Sequence, residues 1–511
     1  MTTTTHMDTH MDTITTSGTH MDTHRTAMTT TTTTHMDTHM DTITTTGTHI
    51  HDHGHSHGHE HGHSHGHDHG HTKSQTKAQK APAEKFKFVE LFAGIGGFRL
   101  SLEAMGGKCI WACEIDRKAA MTYNANFDSP PYHDIRRADL SLFPPFDICV
   151  GGFPCQDFSG LGDQKGLEGS KGALFYEVIR VLEHCRPPMV LLENVKGLQT
   201  MQDGKVLMEV QGELEKLGYH ITTNVMNASC LVPQYRPRLY ICGFLDAEAS
   251  RAHRFPSPPE LYPPRVVGDI LHTPQEEPFL DMYKLTTSQW QTVKKSKTAR
   301  KYGLEKRLVA PQDRVADTLI RSYRESRQSI AQFVCGYKGE LMASEEDEVQ
   351  EVHEERGEEE EVRQRNQEDE TSSLKDHYNS QVTGVSGAPQ KNIISRPRWF
   401  TPRECARLMG FPDTFLLPPG GLPAYEQLGN AVVPPLITLL VGAMFAATTA
   451  ASAQKKDLGD EWLERSLRVA IRQVVASFPP ARAQETCAST FISHPLLPQN
   501  KVGLQEFVRD L

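Results

Sequence analysis

Apolar and polar positions change their period along the chain, and the changes divide it into strand-like and helical segments. From residue 86, short apolar runs predict strands: FKFVEL, KCIWACEI, FDICVGGF and PMVLLENV. The segments between them have helical spacing: RLSLEAMGG, RKAAMTYNANF and ALFYEVIRVLEHCRP, with a further helix over 203–218. Two more strands are predicted over 219–227 and 238–244. Strands that alternate with helices form βαβ units, so the pattern predicts an α/β fold with a parallel, doubly wound sheet.

The first 85 residues carry no such period. The segment TTTTHMDTHMDTITTSGTH returns once with a single change, and it has almost no apolar residues that could stack into a repeat fold. Alternating histidines follow over 49–71, and a Lys/Gln/Ala linker follows over 72–85. Imidazoles can bind Zn²⁺, Ni²⁺ or Cu²⁺, but nothing here fixes a coordination geometry. We therefore predict that 1–85 is a disordered tail and linker without a built metal site.

The rest of the chain divides into segments by its apolar periodicity and its charge. Strands and helices alternate over 86–250, the pattern fades over 251–395 and returns over 396–450, and a partly helical extension covers 451–511. Between 281 and 340 there are 13 basic and 6 acidic residues, whereas 345–370 holds 14 acidic residues and 3 arginines. The basic stretch suits nucleic acid. The acidic run is predicted to be a solvated, disordered insertion, with an autoinhibitory mimic of nucleic-acid charge as the alternative.

Composition narrows the class of protein further. The 511 residues include ten cysteines without a CxxC pair, which favours a reducing compartment over a disulfide framework. The net charge of −10 and the hydrophobic content of 37% are averages over very different segments. The stretch PPLITLLVGAMFAATTA, 434–450, is shorter than a membrane span and rich in Ala and Thr, so we expect a packed helix there. We expect no secretory signal, because the first residues lack an apolar core.

The turn FAGIGGF, 92–98, joins the first strand to the first helix. Its glycines let a ligand approach the backbone closely, and the helix N-terminus offers free N–H groups. Glu114 ends the second strand 20 residues after Gly94, where a carboxylate can accept hydrogen bonds from ribose hydroxyls. Asp134 follows the second helix and is placed to meet an adenine edge. The pattern favours a ligand that contains adenosine, with a purely structural turn as the alternative.

A cysteine is displayed on a loop in GGFPCQDFSG, directly after the third strand. Because parallel strands end at the ligand-binding edge of such a sheet, we expect Cys155 at that edge. The glycine-rich segment 160–172 follows and predicts a mobile lid whose lysines contact phosphates. A thiolate is a strong nucleophile. From these residues alone, a nucleophile and a structural cysteine both stay open.

Six motifs occur in one order along 86–450: FVELFAGIGGFRL, GGFPCQDFSG, LLENVKGL, QYRPRLYICG, RPRWFTPRECARLMGFPD and QLGNAVVPPL. Together they resemble the successive signature motifs of the DNA cytosine-5 methyltransferases. The resemblance implies a Rossmann-like methyltransferase sheet with a smaller target-recognition domain, and S-adenosylmethionine as the cofactor. It also implies that 86–250 and 396–450 form the catalytic domain and that 251–395 forms the target-recognition region.

The same resemblance implies roles in methylating C5 of cytosine in DNA. Cys155 would attack C6 of a flipped-out cytosine, and Glu193 would bond to N3 and help to protonate it. Arg236 and Arg238 would support the base, Glu193 and the backbone through fixed donors. The alternatives are a charge at a helix terminus for Glu193 and a surface strand face for the two arginines.

The implied cofactor site draws on distant parts of the chain. Its residues are Phe92, Gly94, Gly96, Glu114, Ile115, Asp134, Asn430 and Val432. The resemblance brings the last two, from LGNAVV, back beside the first strand. In the recognition region, 314–334 is similar to the family's core. Its arginines, with Lys294, Lys295 and Lys297, are candidates for contacts to phosphates or guanine edges.

Three other functions stay open at this point. A tRNA cytosine-5 methyltransferase shares the chemistry, but that branch usually carries Pro-Pro-Cys-Gln and Cys-Phe-Thr, which do not occur here. A nicotinamide oxidoreductase built on the same turn leaves Cys155 and Glu193 unexplained. A non-catalytic nucleic-acid-binding protein would not need every catalytic position to be filled. We expect double-stranded DNA as the partner, no membrane and a monomer, located in the nucleus if the source is eukaryotic and otherwise in the cytoplasm or nucleoid.

Overall fold

The computed structural model describes residues 85–154, 173–262, 264–272, 280–324, 331–336, 396–451, 456–479, 491–494 and 502–503. Several predicted features lie outside these residues: the tail up to residue 84, the lid 160–172, the acidic run 345–370 and Cys155.

Six strands form the central sheet: β1 (Phe86–Leu91), β2 (Gly107–Ala112), β3 (Ile148–Gly152), β4 (Met189–Val195), β5 (His220–Asn227) and β6 (Pro237–Phe244). Their order is β2-β1-β3-β4-β6-β5. β1 pairs in parallel with β2 and with β3, and β3 pairs in parallel with β4. The chain therefore winds outward from β1 in both directions, which confirms the predicted α/β, doubly wound fold.

The last two strands depart from the predicted parallel arrangement. β6 pairs antiparallel with β4 and with β5. The reason is the connection, because residues 228–236 hold only the 3₁₀ helix Ala228–Cys230. A parallel neighbour needs a crossover of about a dozen residues or more. The prediction of a wholly parallel sheet is therefore wrong at this edge.

Helices cover both faces of the sheet. They and the peripheral helices are α1 (Gly97–Ala104), α2 (Arg117–Phe127), α3 (Ala173–Cys185), α4 (Lys205–Lys216), α5 (Ala247–Ala252), α6 (Thr287–Lys294), α7 (Lys297–Tyr302), α8 (Pro402–Leu408), α9 (Leu422–Asn430), α10 (Pro434–Ala451) and α11 (Lys456–Ala476). Ile148 and Val150 belong to a core with α1, α10 and α11, whereas Cys149 between them belongs to a core with α3 and α4. Burial on both faces explains why these strands read as continuous apolar runs.

α10 is a core helix, as its sequence predicts. The stretch Leu422–Ala451 is long and apolar enough to cross a membrane by composition, but 89% of its most apolar window is buried inside the protein. α11 covers part of it: the Trp462 ring stacks on Phe445 with the ring centroids 4.6 Å apart. A Cβ on Gly442 would lie 2.1 Å from Ser466 Cβ, so the two helices are in close contact there.

Short elements build the region between β6 and α8. β7 (Glu260–Tyr262) pairs with β10 (Phe491–Ser493), which also pairs with β11 (Val502–Gly503), and β8 (Leu308–Val309) pairs with β9 (Phe333–Val334). This region contacts the segment that leads into β6. The Tyr235 N–H donates to the Ala316 carbonyl at 2.8 Å, and the Ala316 N–H donates to the Pro233 carbonyl at 2.9 Å. Residues 314–324 therefore lie beside the motif QYRPR.

Candidate active site

A cleft of about 450 Å³ opens at the carboxyl ends of β1 to β4. The strand order reverses at this edge, between β1 and β3, and ligands of doubly wound sheets bind at such a point. Ten of the predicted site residues line it: Phe92, Gly94, Glu114, Ile115, Asp134, Glu193, Arg236, Arg238, Asn430 and Val432. Gly96 is not among the lining residues.

The turn after β1 uses left-handed backbone conformations. Phe92 has a φ of 53°, which stores local strain in a residue with a large side chain. Gly94 and Gly96 have φ values of 56° and 87°. A Cβ on Gly94 would meet no atom within 4 Å, whereas a Cβ on Gly96 would lie 2.2 Å from Phe127 Cε2. Gly94 therefore borders the cleft, and Gly96 packs the turn against α2 instead of lining the cofactor site predicted for it.

Gly97 has a role that the motif alone does not reveal. It lines the cleft, and a Cβ there would lie 2.7 Å from Val432 Cγ2. The Ser101 hydroxyl also donates to the Pro434 carbonyl at 2.9 Å. These contacts hold the segment after α9 against α1, where the cofactor motif LGNAVV was expected.

Glu114 ties the end of β2 to the glycine turn. Its Oε2 accepts from the Gly94 N–H at 2.8 Å, and its Oε1 accepts from the Asp116 N–H at 2.7 Å. Burial raises the pKa of Glu114, and these two backbone N–H groups oppose the rise. Each oxygen has a second lone pair, so the carboxylate can also accept from ribose hydroxyls.

Ile115 and Asp134 provide an apolar wall and an acceptor in the same cleft. Ile115 is 54% exposed. Asp134 caps the 3₁₀ helix Ile135–Arg137 and pairs with Arg136, with Nε–Oδ1 and Nη2–Oδ2 distances of 2.9 and 2.8 Å. The hydrogen bonds from Arg136 lower the pKa of Asp134 to about 2, so this acceptor is ionised at neutral pH. An exposed apolar side chain with a nearby acceptor suits an adenine ring and its amino group.

Glu193 and Arg238 form an ion pair across β4 and β6. Arg238 Nε lies 3.2 Å from Glu193 Oε1, and both side chains are largely buried. The antiparallel pairing of the two strands, which the sequence did not predict, brings these residues together. Burial raises the pKa of Glu193, and the nearby Arg238 and Arg236 oppose the rise without cancelling it. The acid form is therefore more populated than in water, as a general acid requires.

Of the three supports predicted for Arg236, to the base, to Glu193 and to the backbone, its described hydrogen bonds are to the backbone. Arg236 is only 2% exposed. Its Nη1 donates to the Leu319 carbonyl at 2.8 Å, and its Nη2 donates to the carbonyls of Gly429 and Ala431 at 2.9 and 2.7 Å. Burial lowers the pKa of Arg236 to about 9, so it remains a cation at neutral pH. Among its guanidinium nitrogens, only Nε has no hydrogen-bond partner among the described residues, and Arg238 is the arginine that pairs with Glu193.

Asn194 is a functional candidate that the sequence analysis missed. It is buried, its Nδ2 donates to the Phe153 carbonyl at 3.2 Å, and its Oδ1 accepts from the Val195 N–H at 2.8 Å. β4 thereby holds the backbone two residues before Cys155, and Pro154 lines the cleft. The available signal was its place between Glu193 and Val195 in the motif Glu-Asn-Val.

Two curated proteins resemble the chain over most of their length. The Type II methyltransferase M.DsaV of Dactylococcopsis salina is 32% identical over 378 residues, which cover 73% of this chain and 90% of the relative. The Type II methyltransferase M.HpaII of Haemophilus parainfluenzae is 33% identical over 366 residues, which cover 69% and 87%.

A solved structure and a family model also match the chain. The structure of a Spodoptera frugiperda DNMT2 mutant has a TM-score of 0.50 at 17% identity, over 71% of this chain and all of that one, and it shows a shared fold. The family model for C-5 cytosine-specific DNA methylases matches residues 86–446. The chain therefore belongs to the C-5 cytosine-specific DNA methylase family.

Proposed function

We propose that the protein transfers the methyl group of S-adenosylmethionine to C5 of cytosine in double-stranded DNA. One observation carries the proposal: a single cleft contains both a nucleoside site and an acid site. Glu114 and Asp134 provide acceptors beside the glycine turn, and the Glu193–Arg238 pair lies beside the loop that leads to Cys155. The matched family supports DNA as the polymer that is methylated.

The residues of the cleft fit S-adenosylmethionine. Ile115 offers an apolar face to adenine, Asp134 an acceptor for its amino group, and Glu114 an acceptor for the ribose hydroxyls. The free N–H groups at the start of α1 suit the carboxylate of the methionine part. When bound, this cofactor supplies an electrophilic methyl group, which C5 takes up as S-adenosylhomocysteine leaves.

The chain's own residues make C5 nucleophilic. The Cys155 thiolate adds to C6, and the electron pair of the C5–C6 double bond moves through C4 to N3 as Glu193 gives N3 its proton. The carboxylate left on Glu193 is stabilised by Arg238, whose Nε lies 3.2 Å away. After C5 is methylated, Glu193 takes the N3 proton back. A base then removes the C5 proton, the C5–C6 double bond re-forms and the Cys155 thiolate leaves.

The target base has to leave the helix for this reaction. A base stacked inside the duplex cannot reach the Cys155 thiolate, so the enzyme acts on a flipped-out cytosine. Asn194 binds the Phe153 carbonyl and so fixes the start of the loop that leads to Cys155.

The test is methylation of mixed-sequence duplex DNA by the full-length protein, read by bisulfite sequencing, with bulk tRNA in a parallel reaction. We expect protected cytosines in one recurrent sequence context of the duplex. The matched control is Cys155→Ala, which should protect none. Protection in tRNA alone would replace DNA by tRNA as the substrate, and equal protection by the Ala variant would contradict the covalent mechanism.

A further inference from the structure

We propose that Arg236 is a positioning residue that couples binding of the cofactor to binding of DNA. The inference rests on the proposed function, because it concerns the sites of both ligands. It goes beyond that function, because the reaction itself does not require the two binding events to be linked. The link runs through residues 233–236, 316–321 and 429–431, which we call the junction.

The guanidinium of Arg236 holds both sides of the junction. The Leu319 carbonyl belongs to the recognition region, and the carbonyls of Gly429 and Ala431 flank Asn430 in the wall of the cofactor cleft. All three bonds are between 2.7 and 2.9 Å long, and the side chain is buried. Because the donors of a guanidinium form a rigid planar fork, the three carbonyls are held in one fixed relation.

The backbones of the two sides are also in direct contact. A Cβ on Gly429 would lie 2.3 Å from the Arg321 backbone N and 2.4 Å from the Ile320 carbonyl carbon. No side chain therefore separates α9 from the peptide between residues 320 and 321. Close-packed interiors transmit displacement, so a shift of that peptide moves the end of α9.

Gln234 also binds the backbone of the recognition region. Its Oε1 accepts from the Leu319 N–H at 2.8 Å, and its Nε2 donates to the Leu408 carbonyl at 2.9 Å. Leu319 is thus held through its N–H by Gln234 and through its carbonyl by Arg236. The segment that carries Arg236 fixes the recognition backbone at both polar groups of one residue.

The energetic consequence follows from the buried charge. Losing a carbonyl partner leaves a buried charged donor unpaired, which is unfavourable. Arg236 therefore favours the states in which both sides of the junction are ordered. A ligand that orders one side then strengthens binding at the other side, and by thermodynamic linkage cofactor and DNA raise each other's affinity by the same factor.

The experiment measures this factor directly. S-adenosylhomocysteine is titrated into the full-length protein by calorimetry, once without DNA and once with a saturating duplex that contains the target sequence. For wild type we expect the duplex to tighten binding about tenfold, within the usual range of allosteric coupling. For Arg236→Lys, which keeps the charge but lacks the fork, we expect a ratio near one.

Asp317→Asn is the matched control. Asp317 lies in the junction and pairs with Lys306 at 3.4 Å, but both side chains are exposed. Exposed ion pairs contribute little, so this variant should keep the wild-type ratio. A general weakening of the junction by any lost charge would lower the ratio in both variants and contradict the specific role of Arg236.

A wild-type ratio in Arg236→Lys, or a ratio of one in wild type, overturns the inference. If Arg236→Lys does not melt cooperatively, Arg236→Met decides, because it removes the three bonds to the carbonyls without leaving a buried charge unpaired. A lowered ratio then supports the coupling, and an unchanged ratio overturns it. If the protein methylates DNA but shows no coupling, only this inference is overturned. If it methylates no DNA, the proposed function is overturned as well.

Discussion

At Glu193, burial and two arginines act in opposite directions on one carboxyl group. Burial raises the pKa, and Arg238 and Arg236 lower it by less. The acid form can protonate N3, and the ion pair with Arg238 stabilises the carboxylate that results. Because the reaction needs the acid form, its rate should fall as the pH rises through the raised pKa of Glu193.

Glu193→Gln tests this assignment. An amide can bond to N3 but cannot give up a proton, so we expect kcat to fall on the order of 10² or more. The alkaline fall of the pH–rate profile should disappear, while the affinity for S-adenosylhomocysteine is unchanged. Initial rates of methyl incorporation across the pH range measure both effects. A variant with wild-type kcat would remove Glu193 from the mechanism.

Single residues differ in how far the sequence reveals their role. Glu114 and Glu193 lie at strand ends, where the strand pattern alone predicts the edge of the sheet that they reach. Arg236 lines the cleft, but its partners are backbone carbonyls more than 80 and 190 positions away in the chain. Any residue type offers such carbonyls, so the motif contains no trace of them.

The glycine turn between β1 and α1 contains two glycines with different structural roles, Gly94 and Gly96. At Gly96, a methyl group would strike the Phe127 ring in a left-handed conformation, and at Gly94 it would enter open space. We expect Gly96→Ala to lower the free energy of unfolding by about 3 kcal/mol, and Gly94→Ala by about 1 kcal/mol. Gly94→Ala should instead weaken S-adenosylhomocysteine binding. Denaturant unfolding and calorimetry test the pair, and equal stability losses would contradict these roles.

Beneath this turn, a buried carboxyl group joins β1, α1 and α2. Glu90 accepts from the Arg99 N–H at 3.2 Å and from the Tyr123 hydroxyl at 3.1 Å. Burial raises the pKa of Glu90 from 4.5 to about 8, against those hydrogen bonds and the Arg99 charge, while Glu103 adds to the rise. Cys109 faces the Tyr123 hydroxyl from β2.

The raised pKa of Glu90 has a definite sign for stability. The folded protein keeps a proton that the unfolded chain releases above its ordinary pKa, so this contribution is complete below pH 4.5 and is lost as the pH rises through about 8. We expect Glu90→Gln to flatten the fall in unfolding free energy over this window. Denaturant titrations at several pH values measure it, and parallel curves for the two proteins would contradict the assignment.

At the scale of elements, strand and helix patterns predicted the doubly wound sheet but not the direction of its last strand. The period of two in β6 is the same whether its neighbours are parallel or antiparallel. The decisive feature is the short connection 228–236, which leaves no room for a crossover helix. That reversal matters for function, because it places Arg238 beside Glu193.

At the scale of the whole molecule, the extension beyond the matched residues is part of the core. The Trp462 ring lies 4.6 Å from Phe445 and 6.0 Å from Phe86, the first residue of β1. We expect Trp462→Ala to lower the free energy of unfolding by about 3 kcal/mol. Leu458→Ala, which changes a side chain exposed on the same helix, should stay within about 0.5 kcal/mol of wild type. Equal effects in denaturant unfolding would show that α11 is not an integral layer.

In the proposed function, methyl transfer to cytosine proceeds in one cleft through a covalent bond to Cys155. A duplex with 5-fluorocytosine at the target position tests it most directly, because fluorine cannot leave as a cation when the base should be released. With S-adenosylmethionine present, mass spectrometry should find the methylated duplex bound covalently to the protein, and peptide mapping should place the bond at Cys155. An adduct on another cysteine, or none where ordinary cytosine is methylated, would contradict the account.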